Sequence, residues 1–158
     1  MGSGAATHVV PVEQFDNDTI TFESSHIEVL KHIQGDTDEN TMLWIPGQSI
    51  LVGGDVVFNN MHVYTAETDS QARLKWLNSL NRIRELKPSL VIPGHSKAGA
   101  PLDASSAVDF TESYLLVFEE ELKRAKDPDS LINAMKERFP SVDFLLALDR
   151  GAKANVKP

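Results

Sequence analysis

The first half of the chain alternates short apolar runs with turn residues, a pattern typical of β-strands. Asp16-Asn17-Asp18 and Ser24-Ser25 interrupt the first runs, and the spacing of the second and third runs predicts a hairpin. Pro46-Gly47 is a strong turn dipeptide and predicts a second hairpin between the last two runs. The predicted strand runs cover residues 8–14, 19–23, 26–33, 41–45 and 49–53.

The second half changes to the three- to four-residue spacing of amphipathic helices. Asp69 or Ser70 can cap the first of these helices, and Pro88 stops it because proline cannot continue a helix. Asp127-Pro128 is a typical helix start. The predicted elements are a helix over 69–86, a buried strand over 90–92, helices over 104–125 and 128–138, and a flexible tail over 149–158.

Two of the predicted strands are continuously apolar rather than alternating. Met42-Leu43-Trp44-Ile45 and Ile50-Leu51-Val52 have no polar position facing solvent. Such runs indicate a sheet that is covered on both faces. Three helices are expected to cover one face only, so the fold predicted from the pattern is a mixed α/β sheet with helices on one face and an open second face that needs a partner.

Composition narrows the class of protein. The chain has 158 residues, 41% of them hydrophobic, which suits one globular domain, predicted over residues 8–148. Residues 1–7 resemble an expression-vector remnant. The net charge of −8 and the lack of a basic cluster argue against nucleic acid as a partner. With no long apolar stretch, no cysteine and no export signal, we expect no membrane segment and a cytoplasmic location.

Candidate chemistry lies at the ends of two buried strands. Asp55 follows Gly53-Gly54, and His95 follows Pro93-Gly94. A carboxylate and an imidazole on loops that allow close backbone approach are residue types found in metal sites. On spacing alone, two ordinary turns with polar capping residues are the favoured interpretation, because Gly-Asp and Gly-His pairs are common.

The order of the motifs favours the first interpretation. Gly35-Asp36-Thr37-Asp38, Leu43-Trp44-Ile45-Pro46, Gly53-Gly54-Asp55 and Pro93-Gly94-His95 follow one another along the chain. This order resembles the C-terminal half of the metallo-β-lactamase superfamily, hydrolases with an αββα sandwich and a centre for zinc or another divalent metal. The likeness runs from about Thr19 to about Ala98.

The resemblance implies roles for three residues. Asp55 stands where the family has an aspartate that bridges two metals, and His95 matches the histidine that ligates the second metal. Asp36 stands where the family has a histidine that ligates the first metal. His62 and Tyr64, on the segment after Asp55, lie where similar proteins border the substrate pocket.

The resemblance also shows what is missing. The family motif His-x-His-x-Asp-His, which supplies four ligands and the family's base, is absent from this sequence. Of the family's seven ligand positions, two match, one is altered and four are absent. We therefore expect a truncated or shortened relative of metal-dependent ester, lactone or amide hydrolases that is not catalytic as an isolated chain. Whether it binds a metal is left open, and no residue is assigned as catalytic.

Two further hypotheses concern partners. A half-sandwich can complete itself by pairing its open sheet face with a second copy, which would make the chain a non-catalytic homodimeric binding or structural module. Alternatively, a separate N-terminal half complements this one and restores the site. Metal content and oligomeric state discriminate between these hypotheses.

Overall fold

A computed structural model describes residues 10–11 and 13–156 of the chain. Five strands and four helices follow one another with the strands mostly first, as the hydrophobic pattern predicts. The elements are β1 (Thr19–Phe22), β2 (Ser25–Ile33), β3 (Asn40–Ile45), β4 (Ile50–Asn59), α1 (Ser70–Leu86), β5 (Leu90–Ser96), α2 (Ala104–Leu122), α3 (Pro128–Arg138) and α4 (Leu145–Asn155). The supposed vector remnant over 1–7 lies outside the described residues.

The strands form one mixed sheet in the order β1-β2-β3-β4-β5. Both predicted hairpins are present, because β1 pairs antiparallel with β2 and β3 pairs antiparallel with β4. β5 lies parallel to β4 at the edge of the sheet, and α1 forms the crossover between them. The α/β fold class with a mixed sheet is therefore confirmed.

Strands β4 and β5 are longer than the sequence predicts. The expected strands end at Gly53 and Ile92, whereas β4 continues to Asn59 and β5 to Ser96. Pairing continues past two irregularities: Gly54 lies opposite Pro93 after the first, and Phe58 lies opposite His95 after the second. Pro93 is tolerated because β5 is an edge strand, where a missing N–H leaves no ladder bond unmade. The two candidate loops are thus bulged parts of paired strands.

Local capping explains where the helices begin and end. The Asp69 carboxylate accepts a hydrogen bond from the Ala72 N–H at the start of α1 (2.8 Å). Asp127 and Ser130 form a capping box at α3, with Pro128 in the first turn. Helix α2 ends at Leu122, three residues earlier than predicted, and a short turn follows.

Two predicted segments differ from the structure. The predicted tail over 149–158 is helical as far as Asn155, and Gly151 and Ala152 are buried in α4. Small residues let this helix pack closely, and their low hydrophobicity hides the pattern. The predicted strand over 8–14 has no strand among its described residues, 10–11 and 13–14, which are all exposed, while 8, 9 and 12 lie outside the description.

The two faces of the sheet differ sharply in exposure. Leu51 and Val91 are fully buried beneath the helices, and the Trp76 indole N–H from α1 donates to the Val56 carbonyl (2.8 Å). On the opposite face, Val52 is half-buried and Ile92 is 39% exposed. Side chains alternate between faces along a strand, so the helices cover one face only. We call the opposite side the open face; its apolar members include Ile20, Phe22, Leu43, Ile45, Ile50, Val52 and Ile92.

The helices complete a single core with the covered face. Its largest fully buried side chains come from the strands and from α1, α2 and α3, among them Phe58, Trp76, Tyr114, Phe118 and Leu131. None of the helices in the described part of the chain is long and apolar enough to cross a bilayer.

Candidate functional site

Asp55 and His95 meet where the bulged parts of β4 and β5 lie side by side. The His95 Nε2 atom is 3.4 Å from the Asp55 Oδ1 atom. Both side chains remain accessible, at 38% exposure for His95 and 45% for Asp55. The structure thus brings together the two residues that the strand ends single out, and it leaves them reachable from solvent.

Backbone geometry at two glycines makes this approach feasible. Gly54 has φ of +54°, a left-handed conformation that side chains with a Cβ disfavour. A Cβ at Gly94 would collide with the Asp55 carboxylate and would lie 2.7 Å from the Gly54 carbonyl oxygen. These glycines let the irregular stretch of β4 turn Asp55 toward β5, as bulges near functional sites commonly do.

Asp36 lies in the loop between β2 and β3 and contacts the same region through its backbone. Its N–H donates to the Asp55 carbonyl oxygen (3.3 Å), and its carboxylate accepts from the Asn40 amide (3.1 Å). Partial burial raises the pKa of Asp36, and the negative charge of Asp55 raises it further, while the Asn40 hydrogen bond opposes both effects. Asp36 therefore borders the pair, with its carboxylate held by Asn40.

His62 and Tyr64 do not join this pair. His62 is 1% exposed, and its Nδ1 atom lies 2.9 Å from the hydroxyl oxygen of Tyr114 on α2. Burial lowers the pKa of His62 from 6.5 to about 4, so the imidazole is neutral at pH 7. Tyr64 is half-buried and packs against the hydrophobic core. In this structure His62 is buried in the interior, and the prediction that it lines a substrate pocket stays a prediction.

Two aromatic rings that the sequence does not single out stack on His95. Phe58 of β4 stacks on one side of the imidazole and Phe144, the residue before α4, stacks on the other. Phe58 lies within the range of about Thr19 to about Ala98 over which the sequence resembles the family, three residues after Asp55. Nothing in the local sequence around Phe144 signals its proximity to His95.

The fit to a metal ion can be tested on these residues. Within residues 10–11 and 13–156, no group of three or more His, Asp or Glu side chains is placed to hold one ion. Zinc sites in proteins generally use at least three protein ligands. The Asp55–His95 pair has the chemistry of part of a metal site, but the described chain does not by itself fit a resident metal.

Comparison with known proteins decides the family. The family model of the metallo-beta-lactamase superfamily matches residues 3–95, more than half of the 158 residues. The chain belongs to the metallo-beta-lactamase superfamily. The resemblance seen in the order of the Asp55 and His95 motifs is thereby confirmed. No curated protein matches the chain.

Solved structures of the superfamily show the same architecture. A metallo-beta-lactamase from Pontibacter korlensis is 25% identical, with a TM-score of 0.51, over 65% of this chain and 47% of that one. A metallo-beta-lactamase family protein from Thermus thermophilus is 18% identical, with a TM-score of 0.59, over 89% of this chain and 48% of that one. A beta-lactamase domain protein from Burkholderia ambifaria is 20% identical, with a TM-score of 0.57, over 90% of this chain and 47% of that one. At these two lower identities the likeness concerns the fold alone, and the chain spans about half the length of all three structures.

Proposed function

We propose that this chain supplies the C-terminal part of a metal-dependent hydrolase site for ester, lactone or amide bonds. The observation that carries the proposal is the 3.4 Å approach of Asp55 to His95 in a protein of the metallo-beta-lactamase superfamily. In that assignment Asp55 and His95 are metal ligands, and Asp36 is a neighbouring carboxylate. Zinc or another divalent ion is the cofactor class.

The isolated chain is proposed to be inactive. Two side chains fall short of a zinc ligand set, and a metal-bound water of near-neutral pKa requires a complete one. The remaining ligands would come from a complementary N-terminal half, on this polypeptide or on a separate one. This placement agrees with a chain that spans about half of its solved relatives.

Complementation tests the assignment. The chain is mixed with the N-terminal half of a solved relative, and zinc content and lactone hydrolysis are measured for Asp55→Asn, His95→Gln and the control His26→Gln. His26 is an exposed strand histidine, paired only with Glu28 at 3.7 Å within the part of the chain that the structure describes. We expect uptake and turnover in the mixture, lost in the first two variants and kept in the third.

Other outcomes count against the assignment. Hydrolysis by the isolated chain would overturn its proposed inactivity. Zinc uptake that survives both Asp55→Asn and His95→Gln would overturn the role of the pair.

The open face supports a second candidate, a non-catalytic homodimeric module. Phe22 and Ile92 are 68% and 39% exposed there, and Val52 is half-buried without a helix above it. An apolar sheet face of this kind marks an interaction surface or an aggregation liability. A second copy could bury the same patch on both partners.

Light scattering at several concentrations tests the dimer. We expect the mass of two chains, and we expect Val52→Lys to dissociate them, since a charge is placed in the centre of the face. Leu74→Lys is the control, because Leu74 is 54% exposed on helix α1, away from the sheet. A folded monomer at all concentrations would refute the dimer.

A further inference from the structure

The imidazole of His95 lies between two phenylalanine rings. Its centroid is 5.0 Å from that of Phe58, with 23° between the ring planes, and 4.9 Å from that of Phe144, with 30°. Both arrangements fall within the range of stacked aromatic pairs. Phe58 is fully buried in β4, so one wall of this slot is part of the core. The other wall comes from a distant part of the chain.

The segment before Phe144 is tied to the ends of β4 and β5. The His62 N–H donates to the Asp143 carbonyl oxygen (2.8 Å), and the Asp143 N–H donates to the Asn60 carbonyl oxygen (3.3 Å). The Lys97 ammonium, two residues after His95, donates to the Ser141 carbonyl oxygen (2.6 Å). These bonds fix the segment against the strands that carry Asp55 and His95.

Phe144 itself has an unfavourable backbone conformation. Its φ of +71° and ψ of +46° are left-handed, which is an outlier for a bulky residue. Outliers of this kind persist where the surroundings impose them, and they concentrate at functional sites. Here the conformation begins α4 and accompanies the placement of the ring on His95.

We propose that Phe144 is a positioning residue that fixes the ring plane of His95, so that Nε2 faces Asp55. The contact with Asp55 alone does not fix that plane, because 3.4 Å exceeds the usual N–H···O distance of about 2.7–3.2 Å. His95 is also 38% exposed, which leaves room for rotation about the bond to the ring. The two stacked phenylalanine rings, tilted by 23° and 30° from the imidazole plane, restrict that rotation. The functional meaning of this positioning rests on the proposed role of His95 as a metal ligand.

Ring-current shifts provide a direct measurement. The Cε1 and Cδ2 protons of His95 are compared by NMR in the wild type and in Phe144→Leu, Phe144→Gly and Phe144→Tyr. We expect downfield shifts in the leucine and glycine variants, since a shielding ring is lost, and altered Overhauser contacts between the His95 and Phe58 rings, since the imidazole is then free to turn. The tyrosine variant should keep the wild-type values. Shifts without altered Overhauser contacts would show proximity alone and would overturn the positioning role. Glycine accepts a left-handed backbone, so equal shifts in the leucine and glycine variants would show that the effect comes from loss of the Phe144 ring and not from the backbone.

Phe139→Leu is the matched control. Phe139 contacts the rings of Phe110 and Tyr114 in the same helical layer, and the ring pairs described for it do not include His95. Its replacement should leave the His95 resonances in place. Unchanged His95 resonances in Phe144→Leu and Phe144→Gly, or equal shifts in Phe139→Leu, would overturn the positioning role.

Zinc added to the mixture of this chain with a complementary N-terminal half separates this proposal from the functional one. In that mixture zinc should perturb the His95 resonances, and Phe144→Leu should weaken zinc binding by about tenfold, the loss typical when the support of a metal ligand is removed. Equal zinc affinity in wild type and Phe144→Leu would overturn the functional meaning of the stacking. If zinc leaves His95 unperturbed in the wild type, the ligand assignment fails, while the ring-current comparison still decides the positioning role.

Discussion

The buried pair of His62 and Tyr114 makes the stability of the domain depend on pH. His62 is 1% exposed, and its Nε2 atom is buried without a hydrogen-bond partner in the part of the chain that the structure describes. Its pKa is lowered from 6.5 to about 4, chiefly by burial; the charge of Asp143 opposes this lowering, and Lys136 adds a smaller contribution to it. The imidazole is therefore neutral in the folded protein over most of the accessible pH range.

The sign and size of the effect follow from proton linkage. Between pH 4 and pH 6.5 the unfolded chain binds a proton at His62 more readily than the folded chain does. The stability that neutral His62 contributes is thus fully present above about pH 6.5 and is lost as the pH falls toward 4. With 1.36 kcal/mol per pKa unit, the free energy of unfolding should fall by about 2 kcal/mol between pH 7 and pH 5.

Urea unfolding at pH 7, 6 and 5, followed by tryptophan fluorescence, measures this dependence. His62→Gln should lower the stability at pH 7 but flatten the pH profile, because glutamine does not titrate. His26→Gln is the control: its side chain is exposed, and its profile should run parallel to that of the wild type. If the free energy of unfolding of His62→Gln also fell by about 2 kcal/mol between pH 7 and pH 5, the pH dependence of stability could not be assigned to His62.

Two further substitutions test the packing around the site and the buried pair. Gly94→Ala should displace Asp55 and destabilise the domain by about 1–3 kcal/mol, because the added Cβ overlaps the carboxylate. Gly47→Ala is the control and should be near neutral in urea unfolding, because no atom lies within 4 Å of its added Cβ. Equal unfolding midpoints for the two variants would contradict the clash at Gly94. Tyr114→Phe should lower the free energy of unfolding by about 1–3 kcal/mol, because it removes the hydroxyl that lies 2.9 Å from the Nδ1 atom of His62. An unchanged unfolding midpoint at pH 7 would show that this contact does not contribute to stability.

The sequence predicts the local features of the fold well. Both hairpins depend on turn residues next to the strands, and three helix starts depend on an aspartate cap, as at Asp69 and Asp127. The strand extensions beyond Gly53 and Ile92 are not predictable in this way. They depend on pairing across the bulges of β4 and β5, which no short window of sequence contains.

The candidate site is likewise predictable only where it depends on neighbouring residues in the sequence. Asp55 and His95 are predictable because each follows a buried apolar run, and neighbouring parallel strands bring such positions together. The burial of His62 is not predictable, since it depends on Tyr114 from α2. The contact of Phe144 with His95 is also not predictable, because it depends on the packing of the segment before α4.

The surroundings of Asp55 and His95 are arranged in a way that folding stability alone does not explain. An accessible contact between a carboxylate and an imidazole contributes about 0–1 kcal/mol even when both groups are charged, and a left-handed non-glycine residue such as Phe144 costs on the order of 1–3 kcal/mol. Nevertheless, Phe58 and Phe144 both stack on His95, and Asp55 lies so close to Gly94 that there is no room for a Cβ there. Because the net energetic return is small, this arrangement supports the proposed function, in which Asp55 and His95 are held in a fixed relation as metal ligands. On that proposal, the open face is where a second layer of the sandwich would pack and bring the remaining ligands.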